Sequence, residues 1–164
     1  MNNDLELLYS WVKRTRDVLF DYSQNLPSQI YTQEHEGFGF GSIRNLQAHV
    51  AECYLWWVGH VGLGQTFRDI NPYDLANVTA MRGLFEQVDR TMQAALNEFT
   101  NLDVLYSWSS GSSHPPRQIS QRWLIMHPIT HEFNHKGQML SLGRILGHPV
   151  PPTSEDTDLA LPFS

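Results

Sequence analysis

Apolar side chains recur along this chain at helical spacing in four long blocks. Leu5, Leu8, Tyr9, Val12, Leu19, Tyr22 and Leu26 form the first stripe, with Asn3 and Glu6 at the spacing of a reciprocal N-terminal cap. Pro27 closes it, because proline disfavours helix in the residue before it. The second block, IRNLQAHVAECYLWWVGHVG, follows a plausible cap at Ser42 and weakens at Gly62 and Gly64. The third starts near Thr79 and carries Met81, Leu84, Phe85, Val88, Met92, Ala95, Leu96 and Phe99 on one face. The fourth covers about 119–146 and stops at Gly147-His148-Pro149, with Pro128 inside it expected to kink it or mark a late start. The predicted helices are therefore 3–25, 42–61, 79–100 and 119–146.

Between them, 28–41 contains the glycine- and phenylalanine-rich EGFGFG, and 101–118 holds Gly111, two serine pairs and Pro115-Pro116. Both segments read as loop. No stretch shows a convincing strand alternation, so the expected fold is all-α, a four-helix bundle. The loops at 27–41 and 62–78 are long enough for a crossover instead of a simple up-down order. A single domain over 1–164 is expected, ending in a proline-rich acidic tail at 150–164 that packs loosely.

Composition narrows the function. The 164 residues are 41% hydrophobic, 12% aromatic and only 17% charged, enough to bury a sizeable core. The net charge of -6 comes with no Lys/Arg cluster, which disfavours a nucleic-acid partner. The lone Cys53 excludes an internal disulfide and fits a reducing compartment. The N-terminus lacks the pattern of a signal peptide, and no apolar run reaches the roughly 20 residues that span a bilayer. The expectation is a soluble cytoplasmic protein with no membrane association. Low surface charge also suggests a homodimer through an apolar helix face.

Histidine carries the chemistry. Eight are present, and His127, His131 and His135 are spaced by four. A four-residue step turns a helix by about 400°, so these side chains overlie one another. His131 and His135 can chelate one ion from successive turns. His49, Cys53, Trp56 and His60 follow 4-3-4 spacing on the second helix, so His49 can supply a third nitrogen if the two faces meet. Three imidazoles with one open position describe a catalytic type of metal site, suited to zinc or nickel foremost, with iron or copper also admissible. A lone histidine on an apolar face is more often a hydrogen-bonded core residue; a stack of three needs polar partners that an apolar core lacks.

Two motifs compete over the same residues. His131-Glu132-Phe133-Asn134-His135 matches the zinc-protease pattern H-E-x-x-H, with Glu132 as general base. Gln138 stands where the extended pattern needs glycine, and no strand region upstream can hold a peptide, so a protease is disfavoured. The string His131-Glu-Phe-Asn-His135-Lys136-Gly137-Gln138 resembles the H-x-x-x-H-[RK]-G-Q signature of the DinB/YfiT-like superfamily. His127, and His49 followed by Trp56-Trp57, are similar to that family too, in order along nearly the whole chain. Pro128, the EGFGFG loop and the acidic tail depart from it. The resemblance implies a four-helix bundle with His49, His131 and His135 as metal ligands. It also implies a metal-dependent enzyme that transfers a low-molecular-weight thiol to a small electrophile, or isomerises with its help. The alternative is a non-catalytic metal- or ligand-binding bundle. No catalytic residue is assigned. Glu132 is expected to be solvated surface, Cys53 a small buried residue, His60 and His127 either neighbours of the ligands or core residues, and Phe38 and Phe40 a lid or an apolar plug.

Overall fold

A computed structural model describes residues 3–111, 115–150 and 159. The expected Asn3 cap and almost all of the acidic tail lie outside what it describes. Helix α1 spans Asn3–Gln24, α2 Ser28–Thr32, α3 Ile43–Tyr54, α4 Val78–Glu98 and α5 Gln121–Ile145. The four long blocks are thus helices at the predicted places, within two or three residues, and the fold is an all-α bundle.

Each start has a local cause. Ser42 accepts from the Asn45 backbone N–H at 3.1 Å, Asn77 from Ala80 at 2.9 Å and Ser120 from Trp123 at 3.2 Å, satisfying first-turn donors that have no partner inside the helix. The end of α5 is equally explicit. Gly147 adopts φ 85°, its N–H reaches Arg144 O at 3.1 Å, and the His148 N–H reaches Gly143 O at 2.8 Å. This paired closure needs the left-handed conformation that glycine adopts without a Cβ penalty.

Four segments carry detail beyond the expected helices and loops. Residues 28–32 of the presumed loop form α2, which Tyr31 ties down through a 2.8 Å hydrogen bond to the buried Gln47. Residues 101–118 are mostly loop, as expected, but the loop is closed by a short hairpin: β1 (Tyr106–Trp108) pairs antiparallel with β2 (Arg117–Ile119), placing Trp108 opposite Arg117. Residues Leu55–Gly62 continue α3 as a π-helix, a rare wider coil that concentrates at functional sites. Pro128 does not mark a late start: α5 begins at Gln121 and runs through it; Thr130 donates its hydroxyl to the Met126 and His127 carbonyls there at 3.1 and 2.9 Å.

In the bundle, α3 packs against α4 and α5, and α1 against α4. The chain-consecutive pairs α1/α3 and α4/α5 are not among the closely packed ones, an arrangement the long connections permit. Leu46, Met81, Met92, Ile125 and Leu142 are fully enclosed, each worth about 1.5–3 kcal/mol of hydrophobic burial. Gly62 allows a close approach: a Cβ there would stand 2.7 Å from Phe99 Cζ. Among the described residues, no helix is long and apolar enough to cross a membrane.

Candidate metal centre

The close packing of α3 on α5 brings the spaced histidines together. His49, His131 and His135 each offer a ring nitrogen, and these atoms all lie within 4.8 Å of one another. Ring centroids are 4.8 Å apart for His49–His131, 5.0 Å for His49–His135 and 4.3 Å for His131–His135. Among the described residues these three are the set able to hold an ion, with no fourth protein ligand in the cluster.

The residues fit a divalent metal on a direct observation. His131 Nε2 is buried and has no hydrogen-bond partner. A buried polar atom left unpaired costs roughly 1–3 kcal/mol, and an unpartnered nitrogen on a ring clustered with two other imidazoles is what a cation would relieve. The surroundings keep the rings neutral, as ligation requires. Burial, with His135 close by, pushes His49 down to about 4. Burial and its three imidazole neighbours push His131 down to about 4 as well.

Neighbouring groups orient the ligands. Gln138 Oε1 lies 3.0 Å from His135 Nδ1; the amide oxygen accepts, so Nδ1 donates and Nε2 keeps its lone pair. Glu52 places a carboxylate oxygen 3.7 Å from His49 Nδ1. Phe40 stacks on the His49 ring at 3.9 Å and meets His135 edge-on at 5.6 Å. It is therefore part of the wall behind two candidate ligands, neither a free lid nor a distant plug. Its loop is pinned, since His35 N–H bonds Gly41 O at 2.9 Å and Glu34 accepts from Tyr73 at 2.8 Å.

On the open side lies a cavity of about 340 Å³, lined by His49 and His131 together with Glu52, Cys53, Trp56, Trp57, Phe67 and His127. The Cys53 thiol is buried and pushed up to about 12 by that burial, so it stays protonated and is a poor ligand. His127 stacks on Trp123 at 4.6 Å and faces His131 from 6.0 Å. His60 is exposed and bonded to the Gln65 carbonyl at 2.9 Å, apart from the ligands.

Glu132 overturns its expected surface position. It is 5% exposed and points away from the histidines into the bundle. Arg16 donates to it from Nε at 2.7 Å and from Nη2 at 3.0 Å, and Tyr54 donates at 2.6 Å. Asp89 binds the same guanidinium at 2.7 Å. Both Glu132 oxygens are thereby engaged by Arg16 and Tyr54, away from the histidines, so Glu132 is not placed as the general base of an H-E-x-x-H protease centre. Arg16 was missed in the sequence, although a signal existed: it occupies the gap between Val12 and Leu19 on the α1 stripe.

An all-α bundle with a three-imidazole cluster facing a cavity defines the class of the molecule. The chain matches the DinB family over residues 1–160 and belongs to that family. A crystal structure of a DinB-like protein from Bacillus cereus ATCC 10987 superposes with a TM-score of 0.69 at 17% identity, covering 93% of this chain and 97% of that one; at that identity the likeness concerns the fold. None of the curated proteins compared with the chain matches it.

Proposed function

We propose that His49, His131 and His135 hold one divalent ion, zinc or nickel foremost with iron admissible, and that the centre transfers a low-molecular-weight thiol to a small electrophile. The unpartnered, buried His131 Nε2, on a ring clustered with those of His49 and His135 at the edge of the cavity, carries the reading. When bound, the ion supplies a positive charge that lowers the pKa of a thiol placed beside it. The rest falls to the chain's own residues. Gln138 fixes the His135 ring, Phe40 backs His49, and the Trp56–Trp57 wall keeps the cavity apolar. Sulfur forms the new S–C bond, the leaving group departs with the old bonding pair, and the thiol proton passes to solvent. Cys53, held protonated, does not compete as nucleophile.

A non-catalytic metal-binding bundle is the second reading, and a closed site with a fourth protein ligand would favour it. The three-ligand cluster and the adjoining cavity support catalysis instead. The test is a panel of biological thiols with a chromogenic aryl halide. The metal-loaded protein is expected to give a saturable rate that chelation or His135→Ala abolishes. Metal-loaded protein that is inert across the panel supports the non-catalytic reading.

A further inference from the structure

The cavity beside the histidines shares its two tryptophans with a neighbour. Trp56 and Trp57 also wall a second cavity of about 250 Å³, which Trp108, Pro115 and Arg117 help to enclose. Two chambers thus adjoin across one pair of indoles, each close to the roughly 300–1,000 Å³ range of small-molecule sites. Trp57 meets Trp108 at 4.9 Å, nearly edge to face, so the aromatic wall runs from the histidine side out to the hairpin.

The hairpin register brings a cation to the same place. Trp108 is directly opposite Arg117, and directly opposed residues of an antiparallel pair project from one face. Arg117 is exposed, and among the described residues it has no ion pair, hydrogen bond or ring contact. The contrast with other arginines is direct: Arg16, Arg82 and Arg122 each hold a carboxylate at 2.6–2.7 Å. A guanidinium with no partner among the described residues, lining one chamber with three indoles on a chain of net charge -6, suits a planar anion. Its donor fork matches a carboxylate with two parallel hydrogen bonds, and the indoles accept a flat unsaturated body by stacking.

We propose that this outer chamber is the acceptor subsite and that it takes a flat, unsaturated or aromatic carboxylate, body on Trp57 and Trp108, carboxylate on Arg117. Its place in a reaction rests on the thiol-transfer reading; its binding chemistry does not. The ligand would reach from Arg117 along the shared tryptophans toward the histidine cavity, with its reactive carbon at the inner end.

Calorimetric titration of the zinc-loaded full chain with cinnamate and with cinnamamide, its uncharged isostere, tests this. Wild type is expected to bind cinnamate at least about ten-fold tighter. Arg117→Gln, an exposed strand position, should erase that preference and leave cinnamamide binding unchanged, while Trp108→Ala weakens both ligands. Equal binding of the two by wild type overturns the proposal, as does failure of both to bind at millimolar concentration. A preference for cinnamate that survives Arg117→Gln but vanishes on chelation also overturns it, because the carboxylate then sits on the histidine-held ion. The readout needs no turnover. An Arg117-dependent preference in a protein that transfers no thiol upholds this subsite and removes the transferase reading. Thiol transfer without that preference does the reverse.

Discussion

His131 and Glu132 are adjacent in sequence and project from α5 about 100° apart, one toward the cavity and one into the bundle. Toward the cavity, His131 presents a buried nitrogen with no partner. Toward the bundle, Glu132 has both oxygens bonded, to Arg16 and to Tyr54. Both are polar groups withdrawn from water, yet one is satisfied by the chain and the other is not. A closed network of that kind rigidifies a core; an orphaned atom beside two similar atoms marks a place for something the chain does not itself provide. The comparison also explains why H-E-x-x-H is misleading here. The pattern depends on residue identities, and the chemistry depends on which side of the helix each residue occupies.

The largest expected effect lies on the closed side. Glu132→Gln leaves the buried Arg16 guanidinium with Asp89 as its remaining carboxylate and should cost up to about 3–5 kcal/mol of stability, measured by urea unfolding, without loss of metal from the folded protein. Arg16→Met combined with Glu132→Leu removes both charges and should recover much of that loss. A single-variant cost under about 1 kcal/mol would mean the pair is not insulated from water.

On the open side the effect falls on affinity. Gln138→Ala frees the His135 ring and should weaken metal binding roughly 10- to 100-fold, read by competition with a chromogenic chelator, with little change in unfolding midpoint. A large loss of stability with unchanged affinity would place Gln138 with Glu132 and remove the distinction between the two sides.

Acid should separate them more gently. Folding holds His49 and His131 neutral down to about 4, whereas the unfolded chain protonates them near the ordinary 6.5. The unfolded state therefore binds more protons between those values, and stability is lost as pH falls from 6.5 toward 4. Asp89 acts lower still: burial would raise it, but Arg16 and the Tyr9 hydroxyl hold it below the usual carboxylate range. In metal-free protein the midpoint of thermal unfolding should drop by a few degrees over the histidine window. His49→Asn with His131→Asn should flatten that part of the curve. An unchanged slope in the double variant would assign it to other groups.

The helical frame was legible because apolar spacing over twenty residues averages out exceptions. Ser42 and Gly147 then set boundaries through local chemistry alone. The histidine triad was legible in part: the four-residue spacing on α5 is geometry that the helix guarantees, whereas the meeting of His49 with His131 depended on how α3 packs, which family resemblance supplied. The hairpin at Tyr106–Trp108 and Arg117–Ile119 is too short for an alternation to show. The π-helix escaped because LWWVGHVG is apolar enough to satisfy either coil. Glu132 escaped because its partner Arg16 lies 116 positions away, and a carboxylate one step round from a histidine reads as surface until the opposing helix is in place.

Metal content decides the central claim most directly. Chains purified without a histidine tag, loaded with zinc and desalted, can be assayed by mass spectrometry of the eluted metal. The account predicts about one ion per chain in wild type and in Glu132→Gln, and none in His135→Ala. An equal ion content in His135→Ala, or a wild type that retains no ion after loading, would contradict it.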